Sequence, residues 1–294
     1  MNIHQYRTVD EARALLSGNE DRIVSIHSEQ TVRKQASFIR AGAFDFCGTL
    51  TTGNQWQEIK RCIWEGLRKE DDGDRDWYFN MTTHVPDTDS SLSDPDWFVK
   101  DGFHGNRAAI EGAWIARSMQ RFMHANLHRK DFENAGRRLI LREGTEELFD
   151  LMTACSVISM GMEQIIRACL DHHSLSAAIA ATRIHFDEKG VMNGYHPNVL
   201  GAVSKATAQA RFMQLAGHHV HNHLVMGDTL LDTEMMPKGA FNVWILPHTE
   251  DYGTTSAFRD MHFQMMLSRV TIVLYSNSIL PLVQLIREAR ASAP

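Results

Sequence analysis

From residue 143 onward the chain alternates between short apolar runs and helical periodicity, and that alternation restricts it to a mostly parallel sheet with helices on both faces. EGTEELFDLMTA reads as an amphipathic helix, CSVISMG as a strand and MEQIIRACLDHH as a second helix. The series continues through the strand AATRIHF, the hairpin-like FDEKGVMNGY, the helix SKATAQARFMQLAG, the strand HLVMGD, a turn and helix at TLLDTEMMPKG and the strand AFNVWILP. Upstream, residues 9–17 and 29–41 read as helices, and AFDF as a short buried strand ending in the polar turn CGTLTTG. Sheets of this kind bind ligands at the carboxyl ends of their strands, so the polar residues just past each apolar run are where chemistry is expected.

A long stretch from about 54 to 140 interrupts the pattern. It is rich in Trp, Phe and charge, and helical periodicity returns in AAIEGAWIARSMQRFMHANL. The division expected is a core of residues 1–53 and 141–294 carrying a mainly helical cap at 54–140. The acidic, serine-containing run 87–96 reads as a solvated loop within it.

The formal charge of -6 argues against a nucleic-acid partner, because such proteins cluster Lys and Arg to neutralise phosphates. No apolar run approaches the ~18 residues of a membrane span. The first residues contain acids and lack the apolar core of a signal peptide. Cys47, Cys62, Cys155 and Cys169 lack CxxC pairing and the density of a secreted disulfide scaffold, which fits a reducing, cytoplasmic setting. Nothing in the sequence sets an oligomeric state.

Five polar residues stand at or near strand ends: Asp45, Ser159, Lys205 near the start of a helix, and Asp228 and Asp232 in MGDTLLD. Magnesium prefers oxygen ligands, commonly one or two carboxylates plus waters and substrate phosphate, and Asp45 and Asp228 can supply the carboxylates. The Ser159 hydroxyl and the free amides ahead of the following helix can hold phosphate oxygens at a positive dipole end. Lys205 adds positive charge against the same anion. Singly these residues have ordinary explanations, a turn or helix cap for the Asp and Ser and a solvated side chain for the Lys. Their order and spacing carry the signal.

In that order the residues resemble the haloacid dehalogenase superfamily of phosphohydrolases, with DFCGTLT as its first motif, VISMG as its second, Lys205 as its third and GDTLLD as its fourth. The resemblance extends to the cytosolic pyrimidine 5'-nucleotidase family through LREGTEELFDLM, VISMGMEQIIRACL, HFDEKGVMNGY and SRVTIVLYSNSILPLVQLIREA. It implies a Rossmann-like α/β core with an inserted helical cap, and hydrolysis of a small phosphorylated metabolite such as a nucleoside monophosphate. It also implies that Asp45 is the nucleophile forming an aspartyl-phosphate. Mg²⁺ would be held by Asp45, the main-chain carbonyl of Cys47, Asp228 and Asp232, the last directly or through water. Ser159 with the amides of Met160 and Gly161 would bind the phosphoryl oxygens, and Lys205 would tie nucleophile to phosphate.

Cys47 departs from the pattern, since the superfamily's phosphatases carry an aspartate there that protonates the leaving group and later activates water. Acid–base help of that kind contributes ~10² to 10⁴ in rate. A thiol is a weak hydrogen-bond donor and is not a carboxylate base. Three readings accommodate it: a slow phosphatase that tolerates the cysteine, an enzyme breaking a different bond such as carbon to phosphorus, and a protein that binds a phosphorylated ligand or partner without turnover.

Two further features have competing explanations. GHHVHNHL, residues 217–224, offers histidines for a metal, but alternate side chains of an extended segment point opposite ways, which favours a solvated connector. On the cap helix, Glu111 and Trp114 are candidates to hold a base, because the pyrimidine nucleotidases use cap aromatics and an acidic residue for that purpose. Packing of Trp114 in the cap's own core explains it equally well.

Overall fold

The apolar runs close into one nine-stranded sheet in a computed structural model of the chain, which describes residues 2–53, 55–66, 107–248 and 257–293. The strands are β1 (Ile3–Gln5), β2 (Arg22–Ser25), β3 (Ala41–Phe44), β4 (Ala154–Met162), β5 (Ala178–Phe186), β6 (Met192–His196), β7 (His223–Gly227), β8 (Phe241–Leu246) and β9 (Ile272–Tyr275). Their spatial order is β1-β2-β9-β8-β7-β3-β4-β5-β6. Neighbours from β9 through to β5 run parallel, and the antiparallel pairs β2–β9 and β5–β6 mark the two margins. The α/β class and the mostly parallel sheet agree with the sequence pattern.

The period of two along the central strands sorts side chains into two cores. On β8, Phe241, Val243 and Ile245 face one apolar cluster, while Trp244 and Leu246 face the other. Helices Glu29–Ser37, Thr145–Asp150, Glu163–His172 and Leu280–Ala291 cover the first face. Helices Val9–Leu15, Ala202–Ala216 and Ala257–Arg269 cover the second. Both faces of β3 are therefore buried, and its sequence AGAF is apolar throughout, as a central parallel strand requires.

The described residues between 54 and 140 are helical: Gln55–Gly66, Arg107–His124 and Arg129–Arg138. Phe122 meets Phe132 edge-on at 6.4 Å between ring centres, and Phe132 meets Phe186 of β5 at 5.5 Å. These helices thus join the same apolar cluster as the first face of the sheet. The acidic run 87–96 lies outside the described residues.

Some local expectations shift. The strands Ile3–Gln5 and Arg22–Ser25 are absent from the sequence reading, since three or four residues with polar members carry no usable period. The helix expected over 29–41 stops at Ser37, because the chain must turn to enter β3 at Ala41. The helix expected at TLLDTEMM is a 3₁₀ turn, Leu230–Met235, which keeps Asp232 close behind the end of β7.

Candidate active site

Three strand ends meet at one rim. Phe44 is level with Met226 on β7 and with Val157 on β4, so Asp45, Asp228 and Ser159 all fall one or two residues past the same line. The Asp45 N–H donates to the Met226 carbonyl at 3.0 Å, which extends the ladder by one bond and fixes the carboxylate at the edge of the sheet. Asp45 is 7% exposed.

Lys205 reaches this rim from the first turns of helix Ala202–Ala216. Its Nζ donates to Asp45 Oδ1 at 2.6 Å and to Asp232 Oδ1 at 2.5 Å, and the side chain is almost wholly buried. Burial works against charge on the ammonium, but the Asp232 and Asp45 carboxylates outweigh it and raise its pKa above the usual range. The second oxygen of Asp232 accepts from the N–H groups of Asp228 and Thr229 and from the Thr229 hydroxyl. Asp232 thereby holds the turn that carries Asp228 and also holds Lys205. Asp228 accepts from the Thr49 hydroxyl at 2.8 Å.

Oxygens of Asp45, Asp228 and Asp232 all lie within 4.8 Å of one another. One ammonium faces three carboxylates, so the cluster carries uncompensated negative charge. Burial pushes Asp45 up to about 6, with Lys205 opposing and Asp232 adding to the shift. Burial likewise raises Asp228, reinforced by Asp232 and Asp45. An all-oxygen, anionic donor set, with Asp45 and Asp232 buried and Asp228 half-buried, suits a hard divalent ion such as Mg²⁺. Asp232 is fully engaged by protein donors, which leaves oxygens of Asp45 and Asp228 open to such an ion.

The loop after Asp45 is shaped around the cluster. Gly48 has φ of +80°, and a β-carbon there would meet Asp228 Oδ2 at 2.2 Å, so only glycine lets the carboxylate come this close. Arg142, 4% exposed, donates through Nη2 to the Gly48 carbonyl at 2.5 Å and through Nε to the Thr49 carbonyl at 3.0 Å. Its Nη1 donates to the Asn277 carbonyl at 3.2 Å. Burial lowers the Arg142 pKa and the Asp228 charge opposes that.

On the other side, the register of β4 against β5 shifts between Ile158 and Met162, and Ser159, Met160 and Gly161 lie in the irregular stretch. Such breaks in pairing re-aim side chains and main-chain groups beside active sites. The buried Ser159 hydroxyl accepts from the Gly161 N–H at 3.1 Å, and helix Glu163–His172 starts directly afterwards.

Cys47 points its sulfur at the start of helix Gln55–Gly66: the Gln55 N–H and its side-chain Nε2 each donate to Sγ at 3.4 Å. Burial pushes the Cys47 thiol up to about 12, with the Gln55 main-chain N–H opposing and Asp45 and Asp228 adding. None of the four cysteines forms a disulfide.

Of the residues singled out from sequence, Asp45, Asp228, Asp232 and Lys205 converge, and Ser159, Met160, Gly161 and Cys47 border them. Glu111 and Trp114 stand on helix Arg107–His124, and their side chains lie outside the described residues. The histidines of 217–224 fall into two pairs: His218, which bonds the Thr153 hydroxyl, lies against the fully buried His223, and His219 stacks on His221. Among the described residues only the three aspartates gather within reach of one ion. Thr49, Gln55 and Arg142 escape the sequence reading. Arg142 does lie inside LREGTEELFDLM, one of the stretches that carry the family resemblance.

Comparison with known proteins agrees with this geometry. The family model for pyrimidine 5'-nucleotidase (UMPH-1) matches residues 106–244. No curated protein matches the sequence. A phosphoserine phosphatase captured as a phospho-aspartyl intermediate analogue shares the fold at TM-score 0.55 and 14% identity, covering 84% of this chain and 98% of its own. Cytosolic 5'-nucleotidase IIIB bound to cytidine superposes at TM-score 0.56 and 13% identity over 97% of this chain and 94% of its own. A haloacid dehalogenase family hydrolase from Salmonella enterica serovar Typhi gives TM-score 0.51 and 13% identity over 76% and 65%. Over residues 106–244 the chain is similar to the pyrimidine 5'-nucleotidase family, and it shares its fold with phosphatases of the haloacid dehalogenase type.

Proposed function

We propose that the chain is a Mg²⁺-dependent phosphohydrolase that acts on a small phosphorylated metabolite, with a nucleoside monophosphate as the first choice, through an aspartyl-phosphate on Asp45. The observation that supports it is the buried bridge from Lys205 to Asp45 and Asp232 beside Asp228, a cluster two positive charges short of balance. Mg²⁺ would be held by Asp45, Asp228 and the Cys47 carbonyl, with Asp232, whose oxygens are engaged by protein donors, reaching it through water. Once bound, a hard dication polarises a phosphoryl oxygen and offsets the carboxylate charge.

The residues of the chain have separable tasks. Lys205 fixes one oxygen of Asp45, leaving the other to attack phosphorus. The bond from phosphorus to the leaving-group oxygen breaks as the acyl phosphate forms, splitting one displacement into two. Water then cleaves the acyl phosphate, releasing inorganic phosphate and regenerating the carboxylate. Ser159 and the amides of Met160 and Gly161 steady the phosphoryl oxygens, for which Gly161 N–H would exchange its bond to Ser159 for one to the ligand. Residues 54–140 are read as a cap over this rim, with Glu111 and Trp114 as candidate base contacts. Four cysteines that form no disulfide support the cytoplasmic location proposed here.

A second reading rests on Cys47. Its thiol is held by two N–H donors and resists ionisation, so the usual carboxylic acid is missing on the leaving-group side. That favours a leaving group that needs no proton, cleavage of another bond such as carbon to phosphorus with the proton supplied by an acid other than residue 47, or binding without turnover. Phosphate release from a panel of nucleotides and sugar phosphates, with Mg²⁺ and with chelator, tests the first reading. Turnover that Mg²⁺ supports and Asp45→Asn abolishes is the expected result, and silence across the panel with tight ligand binding would replace it by the second.

A further inference from the structure

Gln55 is a fully buried polar side chain at the first position of the helix that opens the insertion. Its Oε1 accepts from the Met162 N–H at 2.7 Å, and its Nε2 donates to Cys47 Sγ at 3.4 Å. The orientation is settled by chemistry: a main-chain N–H only donates, so the amide oxygen must face Met162 and the nitrogen must face sulfur. Gln55 N–H makes a second bond to the same sulfur. The carboxamide lies flat on Gly161, where a β-carbon would fall 1.6 Å from Nε2. One side chain thus ties the loop after Asp45 to the strand end bearing Ser159, across 107 residues of sequence.

We propose that Gln55 is the positioning residue of the phosphoryl pocket, a carboxamide strut that sets the spacing between the Asp45–Cys47 loop and the Ser159–Met162 strand end so that a phosphoryl group meets Asp45 in line. The inference rests on the phosphohydrolase reading for its kinetic consequences but not for its binding ones. A thiol is shorter than a carboxylate, and the strut reaches into the site from the neighbouring helix to meet it. Gly161 is glycine because the strut occupies the place of its side chain. Misplacing one wall of such a pocket by about 1 Å is enough to lower turnover about a hundredfold.

The test uses the full chain with Mg²⁺, p-nitrophenyl phosphate for turnover and orthovanadate, a mimic of five-coordinate phosphorus, for binding by calorimetry. Gln55→Ala should lower kcat about ten- to a hundredfold with little change in KM, and weaken vanadate by a similar factor. Gln55→Met, which keeps the volume, should lose as much, and added acetamide should restore part of the alanine variant's kcat without moving its Tm. Gly161→Ala should mimic Gln55→Ala by displacing the strut, and the double variant should be no slower than the slower single one. Additive losses in the double variant, or unchanged kcat and vanadate affinity in Gln55→Ala and Gln55→Met, overturn the assignment. If the wild-type chain binds vanadate but turns nothing over, the phosphohydrolase reading fails while Gln55 is still judged on vanadate affinity. If it binds no vanadate at all, both are overturned.

Discussion

Lys205 Nζ lies 2.6 Å from Asp45 Oδ1, although 160 residues separate them, and both side chains are almost entirely withdrawn from water. A buried carboxylate without its cation is costly, so Lys205→Met strands Asp45 and Asp232 together. The variant should lose about 3–5 kcal/mol of stability. Adding Asp45→Asn to it should recover part of that loss, because one of the stranded charges disappears, and the coupling should exceed about 0.5 kcal/mol. Denaturant unfolding of the four proteins of this cycle, without divalent ions, measures it. Strict additivity would mean the pair does not interact.

Asp45→Asn alone has the opposite sign in the metal-free chain. Burial and the neighbouring Asp232 disfavour charge on Asp45 despite Lys205. A neutral isostere should therefore stabilise the protein at neutral pH, by about 1–3 kcal/mol for a shift of this size. Mg²⁺ should stabilise the wild type and have much less effect on the variant, since linkage requires a ligand that binds the native state. Melting curves with and without Mg²⁺ decide the matter, and an equal Mg²⁺ effect on both proteins would remove Asp45 from the ion site.

Arg142 supports the site from below through three main-chain carbonyls, Gly48, Thr49 and Asn277. Arg142→Met should cost about 2–4 kcal/mol, as buried acceptors lose charged donors. It should also weaken Mg²⁺, because the loop under Asp228 loses its anchor. Arg142→Lys should not rescue either property, since an ammonium lacks the planar fork that reaches three acceptors at once. Calorimetric Mg²⁺ titration of both variants checks this, and full Mg²⁺ affinity in the lysine variant would contradict it.

How much of this was legible in the sequence follows from what each residue uses as a partner. Asp45, Ser159 and Asp228 stand directly after short apolar runs, and parallel register alone aligns such positions. Lys205 sits among polar residues of a helix whose apolar period is weak, so only its order between the second and fourth motifs marked it. Gln55 and Arg142 bond main-chain groups about a hundred residues away, and no side-chain pattern records a main-chain partner. The strands Ile3–Gln5 and Arg22–Ser25 are set by pairing at the sheet margin rather than by their own composition.

His223 supplies a pH effect away from the site. It starts β7 fully buried, with Phe212 and His218 against its ring at 5.7 and 6.2 Å between centres. Burial holds its pKa below the usual histidine value, with the His218 main chain opposing. A group with a lowered folded pKa binds its proton more readily when unfolded, so its stability contribution is complete above pH about 6.5 and is lost as pH falls through the folded value. His223→Phe should flatten the decline of Tm between neutral pH and about pH 5 relative to wild type. Parallel curves for the two proteins would show that His223 does not titrate on unfolding.

Cys47→Asp asks whether the missing acid matters. Gln55 already aims two N–H groups at the position, and a carboxylate would accept both more strongly than sulfur does. The new side chain should therefore be held at the rim beside Asp45 without displacing the helix behind it. If the chain is a phosphohydrolase limited by a poor proton donor, turnover of alkyl phosphates should rise by about 10² to 10⁴, the usual contribution of general acid–base catalysis. Turnover of p-nitrophenyl phosphate should rise much less, because its leaving group needs little proton transfer, and the ratio of the two rates is the diagnostic quantity. A fall in both would assign the thiol a part in the native reaction. No gain on either substrate, with Mg²⁺ and vanadate binding intact, would instead favour a bond cleavage that uses no acid at residue 47.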